Sequence, residues 1–352
     1  MAARLDSGLF RDLADRAIEL QPPSRQEALA VLRVSDSETL SLVAEVARVR
    51  RHFFQDRVKL NFLLNIKSGL CPEDCHYCSQ SKLSRAPIPR YSMLPPATAV
   101  QAAKIAVGTG AKRFCMVASG RGPSRSELRR FIAAVRAVKE AHPALEICAC
   151  LGLLSDGQGE QLKEAGVFAY NHNLNTSQDH YGRICSTHDF TDRQETVRRA
   201  KASGLSPCSG ALFGMGETDE DIVDVGFALR ELEPDSVPIN FLIPIEGTPL
   251  AGYHELTPLR CLRILALYRL LFPNVEVRIA GGREVHLRSL QALGLQLANS
   301  IFAGDYLTTK GQAASADLEL IADCGLRVET PEQVTLPQSR LGRVVLKKSA
   351  FD

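Results

Sequence analysis

Short apolar runs alternate with longer amphipathic stretches from residue 59 onward. The short runs are typical of buried strands, and the longer stretches repeat apolar residues every three or four positions, which is typical of helices. The predicted strands are 59–66, 112–118, 146–151, 169–173, 206–212, 236–242, 275–280 and 300–302. The predicted helices between them include 97–108, 126–141, 155–165, 191–203, 219–232 and 258–271. Repeated strand–helix units predict a parallel sheet.

Eight such strands over roughly 250 residues favour an α/β protein with a closed (β/α)8 barrel of the TIM type. A doubly wound open sheet is the alternative, because the pattern does not prove closure. Residues 1–57 predict an N-terminal helical extension, which we expect to act as a cap or an oligomer contact. The barrel is predicted over 58–327, followed by a C-terminal tail over 328–352.

Composition narrows the class of protein. A hydrophobic content of 45% and a charged content of 23% are typical of a globular chain. The net charge of +2, without a long basic run, gives no electrostatic footprint for nucleic acid. No apolar run reaches the length of a membrane span. Ten cysteines without a secretion signal indicate a reducing, cytoplasmic compartment and thiolate chemistry rather than disulfides.

The first predicted strand is followed by three closely spaced cysteines, Cys71, Cys75 and Cys78. Gaps of three and two residues let one loop turn three thiolates toward a common point, as iron–sulfur clusters require. A structural zinc site would normally use two cysteine pairs, and no second pair follows. We therefore expect a metal centre with an open fourth position, although a distant Cys or His could fill it. Zinc, or three free thiols, is the alternative.

Three more cysteines and an arginine lie within different predicted strands: Cys115, Cys148, Cys208 and Arg278. Side chains from separate strands of a barrel can converge only at its axis. A lone cysteine is usually a small buried apolar residue. A buried arginine, however, needs a partner, and clustered thiolates or a ligand carboxylate would supply one. Cys150 shares a strand face with Cys148 and could also point inward.

The fourth predicted strand ends in alternating asparagines, Asn171, Asn173 and Asn175. Alternation places their amides on one face, and amides both donate and accept hydrogen bonds. Such a face suits a neutral polar group, such as a urea or a ribose. His172 points the other way and is interpreted as a packing residue. Asn240, at the end of the sixth predicted strand, is a further candidate amide.

Together these segments resemble the biotin synthase family of radical S-adenosylmethionine enzymes. The three-cysteine spacing alone implies the superfamily, and the resemblance runs from about residue 58 to about residue 327. The more specific segments are Tyr170-Asn171-His172-Asn173-Leu174, Cys208-Ser209-Gly210, Val237-Pro238-Ile239-Asn240, Gly247-Thr248-Pro249-Leu250, Arg278-Ile279-Ala280-Gly281-Gly282-Arg283-Glu284 and Ala298-Asn299-Ser300-Ile301-Phe302.

The resemblance implies two iron–sulfur clusters. It assigns Cys71, Cys75 and Cys78 to a 4Fe–4S cluster, whose fourth iron binds the amino and carboxylate groups of S-adenosylmethionine. It assigns four residues to a 2Fe–2S cluster deeper in the barrel, with Arg113 as a neighbour: Cys115, Cys148, Cys208 and Arg278. Cys150 and Cys185 match no ligand of the family.

The resemblance also implies the residues that bind the small molecules. Those that hold S-adenosylmethionine are Tyr77, Asn173 and Arg193. Those near dethiobiotin are Asn171 and Asn240 at its ureido ring, and Thr308 and Thr309 at its carboxylate. Asn175 departs from the family pattern, because some members carry aspartate at this position.

The implied reaction converts dethiobiotin to biotin. Reductive cleavage of S-adenosylmethionine gives a 5′-deoxyadenosyl radical, which abstracts hydrogen at C9 and C6, and the 2Fe–2S cluster supplies the inserted sulfur. An electron donor of flavodoxin or ferredoxin type and a homodimer are also implied. One alternative is a related barrel, such as a hydrogenase maturase or methylornithine synthase, which would not be expected to combine Cys115, Cys148 and Cys208 with Arg278. The other is a non-enzymatic iron–sulfur or zinc-binding protein.

Overall fold

The computed structural model describes residues 7–329, which form helices wrapped around a parallel sheet. The strands of this part of the chain are β1 (Arg57–Lys67), β2 (Arg113–Ala118), β3 (Glu146–Cys150), β4 (Ala169–Asn171), β5 (Ser206–Cys208), β6 (Ala211–Phe213), β7 (Ser236–Phe241), β8 (Glu276–Ile279), β9 (Ser300–Phe302) and β10 (Arg327–Val328). Residues 1–6 and 330–352, which include nearly all of the predicted tail, lie outside the described residues.

The helices connect successive strands and precede the first. They are α1 (Ser7–Ile18), α2 (Arg25–Leu32), α3 (Thr39–Phe54), α4 (Pro96–Gly108), α5 (Arg125–Ala141), α6 (Gln158–Glu164), α7 (Gln178–Tyr181), α8 (Phe190–Ala202), α9 (Asp219–Glu231), α10 (Pro258–Leu271), α11 (Arg283–Leu287), α12 (Gln291–Leu295) and α13 (Ala314–Asp323). Within the described part of the chain, none of them combines the length and the apolar character needed to cross a bilayer.

The sheet closes on itself. Its strands pair in the order β1-β2-β3-β4-β5-β7-β8-β9, and every pair is parallel. The ring is completed by β9 against β1, where Lys59 pairs with Ser300. The predicted (β/α)8 barrel is therefore confirmed, and the open-sheet alternative is wrong. Because all strands run the same way, their carboxyl ends and the loops that follow meet at one mouth.

The sequence prediction of one strand over 206–212 is wrong, since β5 and β6 are separate. The chain turns at Ser209 and Gly210, where the Ser209 amide donates to the carbonyl of Ser236. Gly210 lies so close to β7 that an added Cβ would sit 1.8 Å from the Pro238 carbonyl oxygen. This contact requires glycine, and it allows β6 to pair with the second half of β7. The short strand β10, which pairs with Arg57 and Val58, was also not predicted.

The helices before the barrel pack against α10. Residues on nearly every side of α10 are buried, because it lies between the sheet and the N-terminal helices. Arg33 and Arg260 both pair with Asp219, which ties α2, α9 and α10 together. Arg50 of α3 is fully buried and donates to the carbonyl of Arg57 at 2.7 Å. The N-terminal helices thus cover one flank of the barrel.

Candidate functional site

The three-cysteine loop lies at the mouth of the barrel, directly after β1. It is held by backbone hydrogen bonds from Cys78 to Cys75, from His76 to Ile184 and from Lys82 to Glu73. Burial raises the pKa of Cys71, and raises that of Cys78 to about 11. Thiolates at these positions therefore need a cation, and an iron cluster would supply one. The fit of the loop to a cluster rests on this soft donor set, in which Cys75 is buried and Cys71 and Cys78 are half-buried.

A second group of thiols lies inside the barrel. Cys115 and Cys148 are direct partners in the β2–β3 ladder, and Cys208 pairs across from Asn171. All three are buried. The guanidinium of Arg278 lies 3.8 Å from the Cys208 sulfur. The structure therefore brings together the four residues that the sequence placed at the barrel axis.

The protonation of these thiols is set by their neighbours. Hydrogen bonding with Cys148, together with the cations of Arg278 and Arg113, lowers the pKa of Cys208. The pKa of Cys148 is raised, first by its hydrogen bonds with Cys115 and Cys208 and then by burial. The group thus already favours negative charge on part of its sulfur, as ligation of iron requires.

A buried ionic network lies beneath these thiols. Lys59 contacts Glu146 at 2.6 Å and Glu276 at 3.4 Å. Arg113 contacts the same two carboxylates at 3.0 and 3.5 Å, and Arg278 pairs with Glu276. Three cations therefore meet two carboxylates, and one positive charge is left facing the sulfurs. Such an excess suits a cluster bound by thiolates.

Sequence reasoning missed the network, apart from Arg113 and Arg278. The signal was present, because three members of the network precede an inward residue by two positions. Arg113 precedes Cys115, Glu146 precedes Cys148, and Glu276 precedes Arg278. Side chains two apart on a strand share a face. A charged residue at such a position in an apolar strand indicates a polar layer inside the barrel.

The asparagines at the end of β4 are only partly arranged as predicted. The Asn171 amide donates to Asn173 Oδ1 at 3.1 Å and to the Cys208 sulfur at 3.2 Å. Asn175 leaves this face, since β4 ends at Asn171 and Asn175 adopts a positive φ of 70°. Its amide instead donates to the Tyr77 hydroxyl. The expected single face of three amides is therefore wrong beyond Asn173.

Asn240 has hydrogen-bonding capacity left for a ligand, whereas His172 is buried. Asn240 has an amide that donates to the Ala211 carbonyl at 3.1 Å, and its oxygen accepts from the Gly281 amide at 3.0 Å. One N–H and one lone pair remain for a ligand.

His172 is buried, and burial lowers its pKa well below the usual value. Its burial is in line with the interpretation of His172 as a packing residue.

Arg193, on α8, joins several parts of the mouth. The helix begins with a capping box at Asp189, which fixes the turn that carries the arginine. Arg193 donates to the Asn173 carbonyl at 2.9 Å and to the Tyr77 hydroxyl at 3.4 Å. Burial alone would lower its pKa, but Tyr77 and Tyr181 hold it above the usual value. Tyr77, Asn173 and Arg193 thus lie in one contact network.

The loop after β9 covers the mouth from the other side. The hydroxyl of Thr308 lies 2.7 Å from that of Ser79, just beyond Cys78. Asn65 of β1 donates to the Leu307 carbonyl at 3.1 Å. The carbonyl of Thr309 accepts from the Tyr306 amide. The side chain of Thr308 therefore faces the three-cysteine loop. For Thr309 the contact is a hydrogen bond of its backbone carbonyl.

A compact polar cluster beside the loop was not predicted. Cys185 lies 3.8 Å from the Cys75 sulfur and 3.3 Å from His188 Nδ1. The hydrogen bond with Cys75 is the largest of several contacts that lower the pKa of Cys185 to about 4. Glu73 accepts from His188 and from Thr187. The spacing of Cys185 and His188, with two residues between them, was the available sequence signal.

Comparison with known proteins gives the family. The Radical SAM superfamily profile matches residues 65–227, and the Biotin and Thiamin Synthesis associated domain matches residues 238–327. A biotin synthase of Streptomyces avermitilis is 60% identical over 94% of this chain and 86% of its own length. A biotin synthase of Streptomyces coelicolor is also 60% identical, over 94% of this chain and 82% of its own.

Solved structures agree on the fold. A methylornithine synthase superposes with a TM-score of 0.80 at 23% identity, covering 91% of this chain and 98% of its own. A hydrogenase maturase of Carboxydothermus hydrogenoformans gives 0.78 at 18% identity, covering 97% and 87%. Identities this low show the barrel alone, whereas the sequence relatives share most of the chain. The chain belongs to the biotin synthase family of radical S-adenosylmethionine enzymes.

Proposed function

We propose that this enzyme converts dethiobiotin to biotin, with one cluster at the mouth of the barrel and a second inside it. The observation that carries the proposal is the convergence of Cys115, Cys148, Cys208 and Arg278 in the interior, with the Asn171 amide 3.2 Å from the Cys208 sulfur. A substrate held by that amide would lie next to the sulfur-rich group.

The two donor sets fit the two clusters that the family implies. Cys71, Cys75 and Cys78 would hold the 4Fe–4S cluster, and the interior group would hold the 2Fe–2S cluster. Thiolates are the usual ligands of both. When bound, the first cluster with S-adenosylmethionine supplies a 5′-deoxyadenosyl radical, and the second supplies the sulfur inserted between C6 and C9.

The residues of the chain position the reactants. For S-adenosylmethionine these are Tyr77, Asn173 and Arg193, and Arg193 already contacts the other two. For dethiobiotin they are Asn171 and Asn240 at the ureido ring, and Thr308 and Thr309 at the carboxylate. Asn171 and Asn240 retain amide groups suited to a urea. No side chain acts as an acid or base, because unactivated C–H bonds do not lose protons to one.

The protein also excludes water from the reaction. The loop that carries Thr308 meets the three-cysteine loop at Ser79 and so covers the mouth. Holding the reacting atoms in one geometry lowers the entropic part of the barrier. A closed mouth also protects a reactive radical from side reactions.

One experiment tests the proposal. Protein reconstituted anaerobically with iron and sulfide is incubated with S-adenosylmethionine and a reductant, and 5′-deoxyadenosine and biotin are measured. We expect release of 5′-deoxyadenosine to require both additions and to increase with dethiobiotin, with biotin as a product. Release that is indifferent to dethiobiotin would contradict the substrate assignment and favour a related radical enzyme.

The proposal extends to the surroundings of the enzyme. We propose a cytoplasmic homodimer that receives electrons from a flavodoxin or a ferredoxin. The cysteines are all free thiols, which supports a reducing compartment. Light scattering of the purified protein tests the dimer, and reduction of the cluster by each donor, followed by absorption, tests the partner.

A further inference from the structure

Cys75, Cys185 and His188 form a buried group of potential metal ligands beside the three-cysteine loop. One ligand atom from each lies within 4.8 Å of the others. The Cys185 sulfur lies 3.8 Å from the Cys75 sulfur, and 3.3 and 3.8 Å from the two ring nitrogens of His188. The proposed function gives no role to Cys185 or His188.

These separations match the edges of a tetrahedron around one ion. Zinc lies about 2.3 Å from thiolate sulfur and about 2.0–2.1 Å from imidazole nitrogen, which places two sulfurs about 3.8 Å apart and sulfur and nitrogen about 3.6 Å apart. The observed sulfur–sulfur distance of 3.8 Å agrees. The Cys185 sulfur lies 3.8 Å from Nε2, the His188 nitrogen that is not bonded to Glu73, which is about 0.2 Å longer than the second value. A single ion therefore fits with little movement.

The surroundings of His188 resemble the outer shell of a metal site. Its Nδ1 lies 2.5 Å from Glu73 Oε2, which also accepts from the Thr187 hydroxyl at 2.7 Å. A carboxylate on one imidazole nitrogen orients the other toward a metal and makes it more basic. That other nitrogen, Nε2, accepts from Arg193 at 2.8 Å. The ion would replace this bond, and Arg193 would keep its bond to the Asn173 carbonyl.

The group can be reached from solvent. An open cleft of about 540 Å³ is lined by Tyr181, Cys185, Thr187, His188 and residues around them. Water in this cleft can fill the fourth coordination position. The carboxylate of Asp74 lies 3.3 Å from the Cys185 sulfur and adds negative charge close to the ion.

We propose that Cys75, Cys185 and His188 bind one thiophilic divalent cation, Zn²⁺ or Fe²⁺, before the cluster at the mouth is assembled. The two sulfurs bind as thiolates, any thiol proton passes to solvent, and no electron moves. Cys75 is also a proposed ligand of the 4Fe–4S cluster. The ion and that cluster therefore exclude one another, a consequence that rests on the proposed function.

Cobalt titration tests the site without S-adenosylmethionine or dethiobiotin. Full-length, cluster-free protein is titrated anaerobically with Co²⁺, and absorption is recorded. We expect the d–d and sulfur-to-cobalt bands of a tetrahedral thiolate site, displaced by Zn²⁺, both in the wild-type protein and in Cys115→Ala/Cys208→Ala, which removes interior thiols that could bind Co²⁺ separately. Absence of tetrahedral bands in the wild-type protein would overturn the proposal.

Variants separate this site from the three-cysteine loop. The double variant Cys71→Ala/Cys78→Ala should keep the bands, because all three proposed ligands remain. Cys185→Ala and His188→Ala should each weaken Co²⁺ binding by more than about tenfold, the effect expected even for loss of an outer-shell partner. Cys324→Ala, a half-buried thiol elsewhere, is the matched control. Circular dichroism verifies that each variant is folded.

The opposite pattern would overturn the proposal. Bands that persist in Cys185→Ala and vanish in Cys71→Ala/Cys78→Ala would place the ion on the loop cysteines instead. A second measurement follows cluster assembly, which Zn²⁺ should slow in the wild-type protein and not in Cys185→Ala. Equal assembly rates, with the cobalt bands present, would support the ion site while contradicting Cys75 as a cluster ligand.

Discussion

At the scale of single residues, Cys148 and Cys150 show how two identical side chains acquire different roles. Both lie on β3 and share a face. Only Cys148 is hydrogen-bonded with Cys115 and Cys208, whereas burial is the largest influence on Cys150 and raises its pKa to about 12. Position along the strand, rather than residue type, therefore separates proposed ligand from bystander.

Replacing each of these cysteines by alanine should separate the two roles. Cys148→Ala should lose the 2Fe–2S component of the visible absorption, because a thiolate ligand is removed. Cys150→Ala should keep the absorption of both clusters, and serves as the matched control on the same strand. Iron and sulfide analysis of the reconstituted proteins provides the measurement. The reverse behaviour would show that the assignment of β3 is wrong.

Arg278 should matter less for assembly than the cysteines. A guanidinium is always protonated at neutral pH and has no free lone pair for iron. Its contribution is charge, and Lys59 and Arg113 would still face Glu276 without it. We expect Arg278→Met to assemble a 2Fe–2S cluster and make some biotin, and Cys208→Ala to make almost none. Loss of the cluster in Arg278→Met alone would contradict this ranking.

At the scale of elements, β1, β2, β3 and β8 share an inward charged layer. Burial raises the pKa of Glu146. The nearby cations of Arg113 and Lys59 lower it by more, so that it falls from a usual value near 4.5 to about 2. A carboxyl group with a lowered pKa stabilises the fold above its unfolded pKa. This contribution is lost as pH falls from about 4.5 toward 2.

Glu146→Gln should therefore destabilise the cluster-free protein at neutral pH. We expect a loss of about 3 kcal/mol, at the low end for a broken buried pair, because Glu276 still contacts both cations. The difference from wild type should shrink as pH falls below about 4.5. Urea unfolding across pH measures it, with the exposed Glu160→Gln as control. A difference independent of pH would contradict the charge argument.

The turn between β5 and β6 leads to a second prediction at the scale of elements. Gly210→Ala places a methyl group 1.8 Å from the Pro238 carbonyl oxygen, so β5 or β7 must move. Overpacking of this kind costs about 3 kcal/mol, and it should also displace Cys208 and reduce 2Fe–2S content. Gly252→Ala, which meets nothing within 4 Å, is the control. Thermal unfolding and sulfide analysis check both effects.

The sequence predicted the strands of the ring because their apolar runs are separated by clear helical patterns. It did not predict the break at Gly210, since that turn depends on contact with β7, a neighbour that is distant in sequence. The interior thiols could be predicted from strand alternation. The departure of Asn175 from its face could not, because it follows from a positive φ beyond the end of β4.

At the scale of the whole molecule, the two proposed cluster sites lie in different structural settings. One is a loop at the mouth, and the other is built from four strands. Because they share no ligand, damage to one should leave the other intact. Family membership could be predicted from the sequence because its motifs lie at strand ends. The group of polar side chains around Cys185 could not, because it forms only when two loops that are distant in sequence meet.

Replacing Cys71, Cys75 or Cys78 by alanine should thus abolish reductive cleavage of S-adenosylmethionine and spare the 2Fe–2S absorption. The reason is that each variant removes one of three thiolates from a single site. Measurement of 5′-deoxyadenosine gives the first effect and the visible spectrum gives the second. Normal 5′-deoxyadenosine from any one variant would remove that cysteine from the assignment.

Because the positive and negative charges of the buried network are unequal, binding of the interior cluster and stability of the fold are linked. With Lys59, Arg113 and Arg278 opposed by two carboxylates, an empty barrel has one excess positive charge at its centre, which negative charge on the Cys208 sulfur offsets in part. A negatively charged cluster relieves this excess and, like any ligand bound only by the native state, adds its binding free energy to that of folding. If the cluster is consumed as the proposed function implies, its loss would also weaken the scaffold, and the protein that has lost the cluster would be the form most exposed to unfolding.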